Sequence, residues 1–65
     1  TARLKDDELL KAKIMEEAQE VIEAQRREDI VWEAADVLYF LTVLLARNDI
    51  GVNEVIEELY RRRRQ

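Results

Sequence analysis

Apolar residues in the first third of the chain recur at steps of three and four, the period of a helix that buries one face. This stripe consists of Leu10, Ile14, Ala18, Val21 and Ile22. We predict a first helix over residues 6–25, preceded by an irregular lead-in over residues 1–5 and capped by Asp6 or Asp7. A polar joint over residues 25–28 then leads into a second helix.

The predicted second helix, residues 28–47, has a different pattern. From Ile30 to Ala46 every residue is apolar apart from three: Glu33, Asp36 and Thr42. Since successive side chains are about 100° apart, the apolar surface extends around most of the helix and needs cover on most sides. A chain of 65 residues is too short to cover it alone, so we expect a second protein chain to contribute.

A third helix is indicated by its start signals. Gly51 can cap the helix N-terminus, Glu54 stands at the third helical position, and Ile50 can pack on Val55. The apolar stripe that follows consists of Val52, Val55, Ile56 and Leu59, and it leads to Tyr60. For residues 1–65 we therefore predict one all-α domain, a three-helix protomer that assembles into a dimeric helical bundle.

The composition narrows the chemistry that a site in this chain can use. The chain has no cysteine and no histidine, so a metal site has to consist of oxygen ligands. Residues 1–60 contain seven basic and 15 acidic side chains, a balance that suits cations and disfavours nucleic acid. The other basic residues form the run from Arg61 to Arg64. A nucleic-acid contact is one interpretation of this run, but a solvated helix C-terminus is favoured.

Membrane insertion and secretion are not indicated by the sequence. The stretch from Val37 to Ala46 carries no charge, but it is far shorter than the ~20 residues that a membrane span needs. The N-terminal residues lack the apolar run of a signal peptide. We therefore expect a soluble, cytoplasmic protein with no membrane partner.

Two pairs of acidic residues are the candidates for chemistry. Glu17 and Glu20 are three apart on the first predicted helix, and Glu33 and Asp36 are three apart on the second. Each pair lies on one helix face, so antiparallel packing can bring both pairs to one point. Four carboxylates there repel one another unless a cation neutralises them. An all-oxygen ligand set completed by water fits Mg²⁺ and tolerates Mn²⁺.

Purely structural roles for these acids remain open. An E-x-x-E pair on a surface helix is usually a solvated face, whereas Glu33 and Asp36 are the only ionisable residues of an apolar stretch. Burying unpartnered acids costs several kcal/mol each, so the structural alternative for this pair is an ion pair with Lys11, Lys13 or an arginine. Core packing, rather than stacking on a nucleobase, is the favoured interpretation for three aromatic residues of this helix: Trp32, Tyr39 and Phe40.

Two stretches of the chain are similar to the motifs of a known superfamily. Residues 13–20 (KIMEEAQE) and 32–39 (WEAADVLY) resemble the E-E-x-x-E and E-x-x-D motifs of the all-α nucleoside triphosphate pyrophosphohydrolases, the MazG-like superfamily. Within it, the chain most resembles the phosphoribosyl-ATP pyrophosphatase family. Further similarities are the TARL start at residues 1–4, the run AADVLYFL at residues 34–41, and the link over residues 49–55 into a terminal helix.

This resemblance implies hydrolysis of phosphoribosyl-ATP to phosphoribosyl-AMP and pyrophosphate, the second step of histidine biosynthesis, by a Mg²⁺-dependent homodimer. It implies four metal-binding acids: Glu17, Glu20, Glu33 and Asp36. It assigns catalytic roles to Glu16 and Glu17 and substrate contacts to Lys13 and Arg3. Between residues 1–4 and Lys13 the chain is shorter than the family, so the resemblance transfers the metal site more firmly than the contacts to the phosphoribosyl group.

Two other functions compete with this interpretation. A house-cleaning or dUTP-type pyrophosphohydrolase uses the same four acids and differs in its base and sugar pocket. A non-catalytic helical dimerisation module would tolerate apolar residues in place of Glu33 and Asp36. A di-iron carboxylate bundle is disfavoured, because its Glu-x-x-His ligand pattern requires histidine.

Overall fold

A computed structural model of the protein describes residues 2–63, with side chains for residues 5–63. Over this part of the chain the elements are α1 (Ala2–Glu23), α2 (Arg27–Arg47) and α3 (Val52–Arg63), with no strand. The prediction of an all-α chain with three helices is therefore confirmed. None of the described helices is long and apolar enough to cross a membrane.

The start of α1 corrects the sequence analysis. The predicted lead-in over residues 1–5 is wrong for residues 2–5, which are already helical. Those four residues are Ala, Arg, Leu and Lys, which favour helix, and no glycine or proline interrupts them. Helix propagation therefore outweighs the capping preference of Asp6 and Asp7, which lie inside the helix. At its other end α1 stops at Glu23, two residues earlier than predicted.

The helices α1 and α2 form an antiparallel hairpin and pack against each other along their length. They are joined by residues 24–26, where the amide of Ala24 still donates to the carbonyl of Glu20 at 2.9 Å. At the far end, the Arg47 guanidinium donates to the Asp7 carboxylate at 2.8 Å. This ion pair fixes the start of α1 against the end of α2.

The turn after α2 satisfies the last carbonyl groups of the helix. Asp49 has a positive φ of 59°, and its amide donates to the carbonyl of Ala46 at 3.1 Å. The amide of Ile50 donates to the carbonyl of Leu45 at 2.9 Å. These two bonds are those of a Schellman motif, with an aspartate in the position that glycine usually occupies.

The predicted start of α3 is confirmed. Gly51 precedes the helix, and its amide donates to the Glu54 carboxylate at 2.9 Å, while the Glu54 amide donates to the Gly51 carbonyl at 3.0 Å. This is the glutamate half of a capping box. At the other end, Arg61 and Arg62 pair with Glu58. Three residues of the basic run, Arg61 to Arg63, therefore form the last turn of α3. The fourth, Arg64, lies outside the described residues.

A single chain provides very little core. Leu10, at 9% exposure, is the one buried hydrophobic side chain among the described residues, and neither α2 nor α3 buries any residue. The radius of gyration is 13.9 Å, against about 11 Å for a compact chain of this length. Large apolar side chains are exposed on every helix, for example Ile22, Leu38 and Leu59. The single chain thus leaves apolar surface that a folded protein normally covers.

Candidate metal centre

The register of the hairpin decides which acidic side chains meet. The Glu17 carboxyl group on α1 has an oxygen within 4.8 Å of an oxygen of Asp36, which lies near the middle of α2. Because the helices run antiparallel, a step of one turn towards the joint raises the residue number on α1 and lowers it on α2. The same register therefore places Glu20 opposite Glu33, and the two predicted pairs face each other.

Carboxylate oxygens of five acids come together at this place. One oxygen from each of Glu17, Glu33 and Asp36 lies within 4.8 Å of the others, and the same holds for Glu16, Glu17 and Glu20. Glu17 belongs to both groups and links them. The structure thus brings together all the acids that the sequence analysis selected. Their binding of a metal remains a prediction.

Glu17 lies at the centre of the cluster and is the most buried charged side chain described, at 5% exposure. Its pKa is raised from 4.5 to about 7, first by hydrogen bonding to the Glu20 carboxyl group and next by burial. The hydrogen bond to Asp36 and repulsion by Glu20 raise the pKa further, while nearby Lys13 lowers it. These causes are those expected of carboxylates that share a site without a counter-charge.

Glu33 has a buried oxygen that is left without a partner. Its Oε2 atom is shielded from solvent and accepts no hydrogen bond from the described residues. A buried carboxylate oxygen without a donor is costly, and such an oxygen is also the ligand that a hard divalent cation prefers. The donor set of this chain therefore fits a cation of the Mg²⁺ type.

The structural alternative, in which these acids form ion pairs, is not favoured. No ion pair between described side chains includes Glu17, Glu20, Glu33 or Asp36. The nearest lysine, Lys13, instead lies 3.5 Å from Glu16, and both of those side chains are substantially exposed. Exposed pairs of this kind contribute at most about 1 kcal/mol, so Lys13 remains available to an anionic ligand.

The predicted substrate contacts are placed only in part. The Lys13 ammonium lies one turn before Glu17 on α1 and 5.8 Å from the centre of the Phe40 ring, at the edge of the carboxylate cluster. Arg3 belongs to the first turn of α1, but its side chain lies outside the described residues. Glu16, to which the resemblance assigns a catalytic role, is exposed beside Glu17 and Glu20.

The three aromatic residues of α2 differ in exposure. In the single chain Trp32 and Tyr39 are exposed and Phe40 is half-buried, so core packing of Trp32 and Tyr39 against a second chain stays a prediction. Trp32 is 70% exposed and lines an open pocket of about 300 Å³ together with Asp36. The signal that could have revealed this is positional: Trp32 precedes Asp36 by one helical turn, which places both on one side of α2.

A hairpin of two helices with facing acid pairs places the chain in the class of all-helical proteins with a carboxylate site. Comparison with known families makes this specific. The family model described as phosphoribosyl-ATP pyrophosphohydrolase matches residues 1–63, and the chain belongs to this family of hydrolases. The resemblance found in the sequence motifs is thereby confirmed.

Individual relatives agree with this assignment. The phosphoribosyl-ATP pyrophosphatase of Rhodobacter capsulatus is 49% identical over 67 residues, covering 95% of this chain and 65% of that protein. The histidine biosynthesis bifunctional protein HisIE of Pyrococcus furiosus is 56% identical over 52 residues, or 80% of this chain and 25% of that protein. The histidine biosynthesis trifunctional protein of Komagataella pastoris is 52% identical over 60 residues, or 91% of this chain and 7% of that protein.

The chain therefore spans a quarter or less of the multifunctional relatives and just under two thirds of the Rhodobacter protein. No solved structure matches it significantly.

The raised pKa of Glu17 predicts how the metal-free chain responds to pH. Because the folded-state pKa of about 7 exceeds the unfolded value of 4.5, Glu17 contributes stability that is present below about pH 4.5 and is lost as the pH rises through 7. The melting temperature in EDTA should therefore fall between pH 5 and pH 7.5, and it should fall less in Glu17→Gln. Glu8→Gln, an exposed glutamate of the same helix, serves as the control. Equal falls in all three proteins would contradict the prediction.

Proposed function

We propose that this chain hydrolyses phosphoribosyl-ATP to phosphoribosyl-AMP and pyrophosphate, the second step of histidine biosynthesis. The observation that carries the proposal is the convergence of two acid pairs between α1 and α2. Family membership and the names of the relatives support it. The substrate that we propose is a small-molecule nucleotide, and we propose no nucleic-acid or membrane partner. The proposed location of the reaction is the cytoplasm.

The proposed cofactor is Mg²⁺, which Mn²⁺ can replace, held by Glu17, Glu20, Glu33 and Asp36. Support comes from the buried Glu33 oxygen without a hydrogen-bond donor and from the raised pKa of Glu17. Both features disappear when a cation supplies the missing positive charge. When bound, the ion would screen the phosphate charges and lower the pKa of a bound water.

The other residues around the cluster then have separate tasks. In the hydrolysis, the oxygen of a water forms a bond to a phosphorus of the phosphoanhydride that joins phosphoribosyl-AMP to pyrophosphate. That anhydride bond breaks, and the two products separate. Glu16 is exposed and close to Glu17 and Glu20, so its carboxylate can accept the proton of the attacking water. The Lys13 ammonium, at the edge of the cluster, contacts a phosphate oxygen. Arg3 is assigned to substrate binding by the family resemblance alone.

The functional unit that we propose is a homodimer. In addition to the acidic cluster, α1 and α2 together form an apolar groove lined by Ala18, Val21, Ile22, Ala34, Val37 and Leu38. Its lining is apolar throughout, and a second copy that covers it would supply the core that one chain lacks. The acidic side of the hairpin would remain open to substrate.

The substrate assignment is tested by measuring pyrophosphate release from phosphoribosyl-ATP, dUTP and ordinary nucleoside triphosphates, with and without Mg²⁺. We expect release from phosphoribosyl-ATP at the highest kcat/KM, and no release in EDTA. A preference for dUTP would instead support a dUTP-type or house-cleaning pyrophosphohydrolase. The absence of hydrolysis with every substrate would support the non-catalytic dimerisation module.

Replacing one ligand separates catalysis from scaffolding. Asp36→Asn keeps the size of the side chain and removes one negative charge, so without metal the variant should melt at or above the wild-type temperature. Millimolar Mg²⁺ should raise the melting temperature of the wild type and raise that of the variant less. Pyrophosphate release by the variant should fall by orders of magnitude, because several kcal/mol of transition-state stabilisation are lost.

The opposite result identifies a structural role for Asp36. If this carboxylate only balances a buried positive charge, Asp36→Asn should lose about 3–5 kcal/mol of stability. A destabilised variant that keeps its activity would therefore disprove the catalytic assignment. Wild-type melting curves that superimpose with and without Mg²⁺ would disprove the metal site itself.

Assembly is tested by sedimentation at micromolar concentration. We expect a dimer of the 7.7 kDa chain, because its apolar groove and the stripe of α3 are uncovered in one copy. Leu38→Lys places a charge in the groove and should shift the equilibrium to monomer with loss of helical signal. A folded monomer of the wild type would contradict the proposed dimer.

A further inference from the structure

We propose that Trp32 is the surface on which the nucleobase of the substrate stacks. This inference rests on the proposed function and adds the group that binds the base, which neither the sequence motifs nor the carboxylate cluster identifies. It concerns the adenine ring of phosphoribosyl-ATP.

Trp32 is unusually exposed for a tryptophan in an apolar helix. It is 70% exposed, although a buried tryptophan side chain normally contributes strongly to a core. The open pocket of about 300 Å³ beside it is lined by Glu28, Val31, Trp32, Ala35 and Asp36. Val31 and Ala35 make its wall apolar, and Asp36 connects it directly to the carboxylate cluster. An indole in an apolar pocket next to a phosphate site suits a flat aromatic ligand.

The position of Trp32 on α2 fits a nucleotide. Trp32 and Asp36 are one turn apart, about 6 Å along the helix axis, a separation that a ribose 5-phosphate can bridge. Around the axis the two residues differ by only about 40°, so the indole and the acids belong to one side of the hairpin. A base stacked on Trp32 therefore has its phosphates at the carboxylates.

Lys13, at the end of the carboxylate cluster away from Trp32, indicates the orientation in which a nucleotide would bind. Lys13 lies there, one turn from Glu17 and over the Phe40 ring, and its positive charge suits the phosphate tail. Trp32 lies at the opposite end, towards the joint between the helices, and carries no charge. The site thus has a cationic end and an aromatic end, as a nucleotide has an anionic end and an aromatic end.

A second copy of the chain is the competing cover for Trp32. The apolar groove proposed for dimerisation includes Leu38, which is about 160° from Asp36 around α2. Trp32 is not among the residues that line that groove. Trp32 is about 120° from Leu38 around α2, but Val31 of its pocket is only about 20° from Leu38. Burial of the indole by a second copy is therefore one of the outcomes that the test distinguishes.

The test uses the intrinsic fluorescence of the chain, because Trp32 is its single tryptophan. We expect AMP with Mg²⁺ to change the emission in a saturable way, whereas ribose 5-phosphate and pyrophosphate, which lack a base, leave it unchanged. An emission change of the same size with ribose 5-phosphate would overturn the proposal. Emission that shifts with protein concentration but not with AMP would place Trp32 in the dimer interface and would also overturn it.

Two variants provide an independent measurement. In Trp32→Leu, which keeps apolar volume but removes the ring, KM for phosphoribosyl-ATP should rise about 5- to 100-fold with a smaller change in kcat. Trp32→Phe keeps an aromatic face and should restore most of the lost affinity. Equal KM values in all three folded proteins would overturn the proposal, as would a loss in Trp32→Leu that Trp32→Phe does not reduce.

The failure of this inference can be distinguished from failure of the proposed function. A wild-type chain that releases no pyrophosphate from phosphoribosyl-ATP disproves the proposed reaction. An active wild type whose KM is insensitive to Trp32→Leu disproves only the stacking. Melting curves of each variant establish that the compared proteins are folded.

Discussion

Mutual repulsion among carboxylates between α1 and α2 is the constraint on which the rest of this structure depends. Glu17 is almost fully buried, and its oxygens lie within reach of those of four other acids. The pKa of Glu17 reflects this crowding: it is raised from 4.5 to about 7, first by hydrogen bonding to the Glu20 carboxyl group and next by burial. Such a cluster of carboxylates fits the divalent cation that we propose for the site.

Other contacts of the hairpin have to balance this repulsion. The Asp7–Arg47 ion pair is half-buried at the end of the hairpin, and Leu10 provides the buried apolar contact on the same part of α1. The ion pair and Leu10 lie nearer the open end of the hairpin than Lys13, whereas the acids lie nearer the joint. Contacts in one half of the hairpin therefore stabilise the half that contains the acids. Functional sites commonly reduce stability in this way, and the surrounding structure compensates for it.

The sequence predicts the site better than it predicts the helix boundaries. The spacing of three within each acid pair and the short joint between the helices are local features, and together they imply that the pairs meet. The start of α1 was mispredicted because the capping preference of Asp6 competes with the helix propensity of the four residues before it, and propensity wins. The start of α3 was predicted correctly because Gly51 and Glu54 have no such competitor.

For most apolar residues of α2, the direction in which the side chain points could not be predicted from the sequence. When a helix is apolar on every side, periodicity does not show which side packs on α1, which side faces another chain and which side faces a ligand. Those assignments depend on the register of α1 against α2, a tertiary property. Trp32 was interpreted as core for this reason, although its place one turn from Asp36 puts it on the side of the acids.

The surface of α2 is apolar almost all round because three different sides of the helix have different roles. Its inner face packs on α1 and carries Glu33 and Asp36 into the cluster. The side that carries Leu38 forms the apolar groove with α1, and the side that carries Trp32 borders the acids. If a cation binds at the carboxylate cluster and a second copy docks in the apolar groove, both contact α1 and α2. Each then stabilises the hairpin that the other requires, because any ligand of the folded state adds to its stability. On the proposed function, a chain with this little core of its own would gain stability both from a cation at its site and from a second copy.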